Sequence, residues 1–313
     1  MNQDHADWRP LEVTPSIAGT PAGADGLLAY LDTADVAGLL AQHRALLLRG
    51  FDVPEERLEE VTGRLLQHRD PYVHGNSPRT KVGDNIYTST EFPPEYVISM
   101  HNELSYAHVW PSRLLFFCAQ PAQTGGATPL VHGALWLESL SPELRAAVKD
   151  GVCYRQFLHG GAGLGKSWQE TFETKDEAEV ERFLAASAAD WEWTGDGGLR
   201  ISQTRPATTR HPVTGEEVWF CQLDQWHPAT LGEETMRELM AIVPEDELPQ
   251  SVTFADGSPI PEQFAIEVRD QGLRLAVDVG WQRGDVLVID NVAVAHGRRT
   301  FSGSRRVLVS MAQ

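Results

Sequence analysis

The sequence has few cysteines. Its three, Cys118, Cys153 and Cys221, stand far apart in a chain of 313 residues and form no Cys-x-x-Cys pair. The absence of such pairs excludes the usual signature of a thiolate metal site or a redox-active disulfide. The surrounding residues are apolar, as in the segment LLFFCAQ, so we expect buried free thiols.

Positive charge is also scarce. Lys and Arg total 26 against 44 Asp and Glu, which gives a formal net charge of -18 at pH 7. Phosphate backbones and anionic membrane surfaces attract basic proteins and repel strongly acidic ones. We therefore exclude nucleic acid and the membrane as partners, while the sequence leaves the oligomeric state open.

Long apolar runs are missing as well. A membrane-spanning helix needs about 20 consecutive, mostly apolar residues, and no stretch of the chain provides them. The start, MNQDHADWRPLEV, is polar and acidic, and it lacks the basic region followed by an apolar region that marks a secretory signal. The sequence thus predicts a cytoplasmic protein.

No repeat, low-complexity block or Pro/Gly/Ser linker divides the chain, and its 42% hydrophobic residues are enough for a substantial core. We therefore expect one domain over residues 1–313. Short apolar or alternating runs predict strands, and apolar residues at helical spacing predict helices. The predicted strands are 44–49, 114–118, 128–131, 151–157, 217–221, 285–290 and 305–311, and the predicted helices are 36–43, 54–67, 142–149, 176–188, 232–242 and 261–269.

The order of these elements indicates a mainly β fold with flanking helices, of the α+β class. Loops rather than regular crossover helices connect the predicted strands, which favours an antiparallel β core over a doubly wound parallel sheet. Two helices carry start signals, because Asp35 precedes the first of them and Ser141 with Pro142 opens another.

A set of metal ligands is present in two separate segments. The segment SMHNELSY places His101 and Glu103 two residues apart, so both side chains project from the same face of an extended chain. A third ligand, His296, follows the apolar run 285–290. Two imidazoles and one carboxylate leave coordination positions open, as non-heme Fe(II) oxygenases require. His-x-Glu alone often arises by chance, and its weight here comes from the accompanying residues.

Two further segments predict a site for a carboxylate ligand. Arg306 lies ten residues after His296 in the strand-like run RRVLVSM, where a guanidinium group needs an anionic partner. Its planar fork suits a carboxylate, and strand alternation would point Arg305 the other way. Thr128 begins a strand in TGGATPLVHG, where its hydroxyl could donate to the same carboxylate; the alternative is a plain hairpin turn.

A different function is suggested by GGAGLGKS, residues 160–167, which fits the Gly-x4-Gly-Lys-Ser pattern of phosphate-binding loops. Such a loop needs a buried strand before it and a helix after it. The preceding run, VCYRQFLH, contains an arginine and a histidine, and the following WQETFETKDEAEV has no early apolar stripe, so both flanks argue against this alternative. A P-loop nucleotide hydrolase would use Gly160, Gly165, Lys166, Ser167 and Asp290.

Together these segments resemble the taurine dioxygenase-like (TauD/TfdA) superfamily of Fe(II)- and 2-oxoglutarate-dependent oxygenases, and in particular its SyrP-like branch. The resemblance runs in order from ALLLRGFDV through YTSTEFPPEYVISMHNELSY, GGATPLVHG, RHPVTGEEVWF and FADGSPIP to GDVLVIDNVAVAHGRRTFSGSRRVLVSM. It implies a double-stranded β-helix (jelly-roll, cupin-like) core, with Fe(II) as cofactor and 2-oxoglutarate and dioxygen as cosubstrates. It also implies iron binding by His101, Glu103 and His296, and binding of the distal 2-oxoglutarate carboxylate by Thr128 and Arg306, with Arg305 as the competitor.

Two positions depart from the family pattern. Glu103 stands where taurine dioxygenase has aspartate, although the SyrP-like branch is similar to this sequence in using glutamate; the longer side chain has one extra torsion to fix. Cys221 stands where related sequences carry asparagine, so a substrate contact there is in doubt. Related halogenases keep the carboxylate position small to admit chloride, and Glu103 therefore favours oxygenation.

The resemblance further implies an amino acid, or a group derived from one, as the substrate, in the biosynthesis of a natural product such as an antibiotic. That substrate would be hydroxylated free or on a carrier protein, and desaturation, epoxidation and cyclisation are alternatives with the same cofactors. We expect substrate contacts from Tyr87, Asn102 and Trp219, which flank the predicted metal site.

Overall fold

The computed structural model describes residues 8–69, 79–90 and 92–313. The first seven residues, which belong to the polar start discussed above, lie outside this description. The strands are β1 (Leu11–Val13), β2 (Ala45–Leu48), β3 (Lys81–Gly83), β4 (Ile86–Thr88), β5 (Ile98–His101), β6 (Arg113–Gln120), β7 (Thr124–Gly125), β8 (Thr128–His132), β9 (Val152–Leu158), β10 (Asp190–Trp193), β11 (Leu199–Arg205), β12 (Thr208–Arg210), β13 (Glu217–Trp219), β14 (Gln250–Phe254), β15 (Val277–Val279), β16 (Val286–Asp290), β17 (Val294–Arg298), β18 (Phe301–Ser302) and β19 (Arg306–Ala312).

Helices flank these strands, and three short 3-10 segments at Glu55–Arg57, Pro228–Leu231 and Glu245–Glu247 accompany them. Among the helices that the structure describes, none has the length and apolar character needed to cross a bilayer. The α-helices are α1 (Pro15–Ala18), α2 (Ala24–Leu31), α3 (Val36–His43), α4 (Leu58–Leu65), α5 (Gly133–Ser139), α6 (Pro142–Ala147), α7 (Trp168–Phe172), α8 (Glu177–Ala186), α9 (Leu223–Trp226), α10 (Glu233–Ile242) and α11 (Glu262–Leu275).

Two facing sheets form the core. The larger has seven strands in the spatial order β1-β2-β16-β6-β19-β4-β3, and the smaller has four in the order β15-β8-β17-β5. Only β1 and β2 pair in parallel; the other pairs in these two sheets are antiparallel. Leu130 and Val294 of the smaller sheet share one apolar cluster with Phe116, Leu287 and Val309 of the larger sheet. The predicted jelly-roll core is confirmed.

Strand β19 is buried on both of its faces. Val307, Val309 and Met311 lie in the cluster between the two sheets. Leu308 and Ala312 alternate with them and belong to a second cluster on the outer face of the larger sheet, which also contains residues of α2 and α4. A strand covered on both faces shows no alternation of polar and apolar residues, so its sequence does not reveal which face is which.

A third sheet, in the order β10-β11-β9-β14, packs beside the jelly roll with α5, α9 and α11. Tyr154 of β9, Trp226 of α9 and Val268 of α11 share an apolar cluster there. Cys221 belongs to the same cluster and lies 3.2 Å from the Tyr154 hydroxyl. All three cysteines are free, with Cys118 and Cys221 buried and Cys153 half-buried.

Every predicted strand and helix has a counterpart in the structure. Helix α3 has the bounds that the sequence predicted, and the Asp35 carboxylate caps it by accepting a 2.9 Å bond from the Gly38 amide. The predicted helix 54–67 divides into a 3-10 segment and α4, and helix 261–269 continues to Leu275. Short elements such as α7 and β5 were missed, since four or five residues hold too few apolar positions to show a period.

The glycine-rich segment 160–167 does not form a phosphate-binding loop. A helix does follow it, contrary to the sequence prediction, but α7 has only five residues, and Ser167 and Glu170 close its first turn as a capping box. The loop encloses His159, whose Nδ1 accepts the Gly161 amide at 3.1 Å. The preceding strand, β9, lies in an antiparallel sheet, and Asp290 is bonded to His211 at 2.7 Å.

Candidate metal centre

Two paired strands bring the candidate ligands together. His101 ends β5 and His296 lies opposite it on β17, so that the two imidazole ring centroids are 4.3 Å apart. Glu103 follows β5 by two residues, and its Oε2 lies 3.9 Å from the His296 Nε2. One ligand atom from each residue lies within 4.8 Å of the others. The three residues predicted from the sequence therefore form one cluster.

Both imidazoles are held in the neutral form that binds metals. Burial lowers the pKa of His101, against a weaker opposing effect of the Glu103 charge. Burial also lowers the pKa of His296 well below its usual value, and repulsion from His101, when that residue is protonated, and from Arg79 adds to this effect. A neutral imidazole keeps a lone pair for a metal ion. Two neutral imidazoles beside a carboxylate fit a divalent metal such as Fe(II).

Hydrogen bonds fix the orientation of His101. Its Nδ1 lies 2.9 Å from the Ser99 carbonyl oxygen, which leaves Nε2 for a metal. The side chain of Gln225 donates to the same carbonyl oxygen at 3.0 Å. The buried Nδ1 of His296 has no hydrogen-bond partner among the described residues, and the ring packs against His101 and Phe116.

Buried amide side chains hold the backbone of the ligand loop. Asn291 accepts a 2.8 Å bond from the Glu103 amide and donates a 3.0 Å bond to the Glu103 carbonyl oxygen. Gln222 donates to the Asn102 carbonyl oxygen at 2.7 Å, and Asn102 donates to the Asn291 carbonyl oxygen at 2.6 Å. Sequence reasoning missed Asn291, although a polar residue directly after the buried strand β16 was a usable signal.

A cavity opens beside the candidate ligands and contains charged groups. Arg305 contributes its guanidinium group, and Thr128 contributes a buried hydroxyl that accepts a 3.0 Å bond from the Trp281 indole. Arg79 contributes a second guanidinium group, which sequence reasoning also missed. The described residues that line the cavity are Arg79, Ser89, Thr90, Ile98, His101, Phe116, Thr128, His296, Gly297, Arg298, Arg305 and Val307.

The two neighbouring arginines point in directions opposite to the prediction. Arg306 is 40% exposed and pairs with Glu55 at the surface, whereas Arg305 lines the cavity and donates to the Gly126 carbonyl oxygen at 3.0 Å. Burial lowers the pKa of Arg305 to about 10. The expectation that Arg306 faces the site is therefore wrong. Arg305 directly precedes β19 and lines the cavity together with Val307. Because β19 is buried on both faces, its sequence did not show which of the two arginines points inward.

The three residues predicted to contact substrate lie elsewhere. Trp219 is buried against Trp136 and donates to the Cys221 carbonyl oxygen at 2.9 Å. Asn102 points toward Asn291, and the Tyr87 hydroxyl lies 3.5 Å from the Asn85 side-chain oxygen. Among the described residues, none of these three lines the cavity. Closeness in sequence to a metal ligand does not set the direction in which a side chain points.

Comparison with known proteins shows the family of this chain. The family model described as "Taurine catabolism dioxygenase TauD, TfdA family" matches residues 14–312. This chain belongs to the TauD/TfdA family. It is 35% identical over 275 residues to the dapdiamide synthesis protein DdaC of Enterobacter agglomerans, covering 87% of this chain and 83% of that protein. It is 31% identical over 326 residues to a clavaminate synthase-like protein of Arabidopsis thaliana, covering 99% and 96%.

Solved structures share the fold of this TauD/TfdA family member. PvcB of Pseudomonas aeruginosa matches with a TM-score of 0.52 and 15% identity, covering 97% of this chain and 86% of that one. A taurine dioxygenase of Burkholderia xenovorans matches with a TM-score of 0.51 and 18% identity, covering 94% and 89%. As a member of the TauD/TfdA family, the chain is a non-heme dioxygenase that depends on Fe(II), 2-oxoglutarate and dioxygen, and it acts on a small molecule.

Proposed function

We propose that His101, Glu103 and His296 bind the Fe(II), and that Arg305 and Thr128 bind the distal carboxylate of 2-oxoglutarate. The observation that carries this assignment is the shared cavity: the two imidazoles, Thr128 and Arg305 all line it. An arginine whose pKa is lowered by burial is stabilised by an anionic ligand. Arg306 has no part in this assignment, because it pairs with Glu55 outside the cavity.

The residues of the chain position the reactants and exclude water. When bound, Fe(II) would activate dioxygen, which is the oxidant; one oxygen atom would pass to 2-oxoglutarate as it breaks down to succinate and carbon dioxide, and the other would pass to the substrate. Arg305 and Thr128 orient 2-oxoglutarate, and Phe116 and Val307 contribute apolar walls beside it. Glu103 fills a ligand position with a carboxylate. No side chain is needed as an acid or base in the oxidation, so catalysis by the protein rests on orientation.

We further propose that the reaction is hydroxylation of an unactivated carbon of an amino acid or an amino-acid-derived substrate in natural-product biosynthesis. The similarity to DdaC, named as a dapdiamide synthesis protein, supports this substrate class. Glu103 favours oxygenation over halogenation, because its carboxylate occupies the ligand position that a halide would need. Desaturation, epoxidation and cyclisation are the alternatives, and membership of the SyrP-like branch stays a prediction.

The charge of the protein favours a free substrate over one tethered to a carrier protein. A net charge of -18 repels an acidic carrier. We therefore propose a free small molecule as the prime substrate, with residues 1–313 acting as a single oxygenase domain.

Succinate release across a panel of free and carrier-bound amino acids tests this proposal. We expect substrate-dependent succinate formation with at least one free amino acid or simple derivative. The product should be about 16 mass units heavier than the substrate, because hydroxylation adds an oxygen atom. The Glu103→Ala variant, which lacks the carboxylate ligand, serves as the control and should not form the hydroxylated product. Stimulation by carrier-bound substrates alone, or by none of the amino acids, would contradict the proposed substrate class.

A further inference from the structure

A second buried charge contacts the candidate metal ligand Glu103. The Arg79 Nη2 donates to the Glu103 Oε2 at 2.7 Å, and the two side chains are only 3% and 6% exposed. This Oε2 is also the oxygen that lies 3.9 Å from the His296 Nε2. Arg79 therefore contacts Glu103 on the side of the carboxylate that faces the histidines.

The structure divides the task of holding Glu103 between two residues. Asn291 bonds the amide and the carbonyl oxygen of Glu103, which fixes its backbone. The carboxylate lies three side-chain torsions away from that backbone, one more than in aspartate, and each free torsion costs entropy when a ligand must be ordered. The hydrogen bonds of Asn291 fix the backbone of Glu103 but leave the direction of its carboxylate free. The hydrogen bond from the Arg79 guanidinium group fixes that direction.

We infer that Arg79 is a positioning residue, which holds the carboxylate of Glu103 in the orientation that it shares with His101 and His296. The inference rests on the proposed iron site. It accounts for a glutamate in a position where the family also uses aspartate, because the added length is matched by a fixed partner. Partners of metal ligands typically change metal affinity by about 10- to 100-fold when they are removed.

Two effects of Arg79 on metal affinity oppose each other. Its positive charge repels a divalent cation, so removing the charge alone would tighten metal binding. Its hydrogen bond orders the carboxylate, so removing the bond leaves a buried carboxylate without this partner and weakens metal binding. The burial of the pair and the 2.7 Å contact make orientation the larger effect. Weaker metal binding after removal of Arg79 would therefore show that orientation dominates, and tighter metal binding would show that charge repulsion dominates.

Mn(II) affinity, measured by electron paramagnetic resonance on the full chain with 2-oxoglutarate present, tests the inference. We expect Arg79→Met to weaken Mn(II) binding about tenfold and Arg79→Lys, which keeps the charge but lacks the planar fork, to weaken it about threefold. The matched control is Arg306→Met, since this arginine lies at the surface with Glu55. The control should bind Mn(II) as the unsubstituted protein does.

A double-mutant cycle with Glu103→Asp provides the specific readout. The shorter carboxylate no longer reaches Arg79, so adding Arg79→Met in the Glu103→Asp background should weaken Mn(II) binding less than about twofold. Equal losses in both backgrounds would overturn the inference, as would tighter Mn(II) binding by Arg79→Met. Unchanged Mn(II) affinity with a raised substrate KM would also overturn it, by assigning Arg79 to substrate binding.

Failure of this inference differs from failure of the proposed function. If the unsubstituted protein binds no Mn(II), the metal site itself is wrong. If it binds Mn(II) and Arg79→Met does so equally well, only the role of Arg79 is wrong. The melting temperature of each variant separates a loss of fold from a loss of metal affinity, and Arg79→Lys keeps the test decisive if Arg79→Met does not fold.

Discussion

Replacing each of the two neighbouring arginines in turn by methionine tests the direction in which each side chain points. Arg305 lines the cavity with Thr128, and Arg306 lies at the surface with Glu55. A hydrogen bond to a charged group contributes about 1.5–3 kcal/mol, so the loss of a two-pronged contact to a carboxylate costs about 3 kcal/mol or more. Since 1.4 kcal/mol corresponds to about tenfold in affinity, Arg305→Met should raise the Kd for 2-oxoglutarate at least about 100-fold.

The assay is calorimetric titration of the Mn(II)-loaded protein with 2-oxoglutarate in the absence of dioxygen. Arg306→Met is the matched control, because it removes the same charge one residue away. An exposed ion pair such as that of Arg306 with Glu55 contributes about 0–1 kcal/mol, so this variant should keep both its fold and its affinity for 2-oxoglutarate. A larger loss of affinity in Arg306→Met than in Arg305→Met would refute the assignment.

Three further predictions concern residues around the site and the glycine-rich loop. Asn291→Ala leaves three buried backbone groups without their partner, at about 1–3 kcal/mol each, and should lower the melting temperature by roughly 6 °C or more; an unchanged value would contradict the clamp. Burial raises the pKa of Asp224 to about 7, so the folded state keeps a proton that the unfolded chain loses from about pH 4 upward, and stability falls as pH rises between these values. Asp224→Asn should therefore raise the melting temperature more at pH 8 than at pH 5, and an equal gain at both would contradict this. Lys166→Ala should retain turnover, and a loss beyond about tenfold would return attention to the phosphate-loop alternative.

The cluster of His101, Glu103 and His296 could be predicted from the sequence because these residues lie where local rules are strong. His101 and Glu103 are two residues apart at the end of a strand, and His296 follows a run of buried residues. A short antiparallel pairing of β5 with β17 is enough to place the two histidines opposite each other. The resemblance to the TauD/TfdA family added the jelly-roll core, which the structure confirmed.

The errors came from features that depend on three-dimensional packing. Strand β19 is buried on both faces, so its apolar pattern could not show whether Arg305 or Arg306 points into the cavity. Trp219 belongs to the apolar core, and Asn102, although it lies between two ligands in sequence, holds the loop backbone. Arg79 was missed because 24 residues separate it from Glu103, and no local pattern connects a guanidinium group with a carboxylate at that distance.

The most direct test of the account is an anaerobic spectrum of the protein with Fe(II) and 2-oxoglutarate. Chelation of iron by 2-oxoglutarate at a site with open positions produces a metal-to-ligand charge-transfer band, and we expect this band in the unsubstituted protein. It should be lost in the His101→Ala and His296→Ala variants and persist in Arg306→Met. The absence of the band in the unsubstituted protein, or its persistence in both ligand variants, would contradict the assignment of His101, Glu103 and His296 as the iron site.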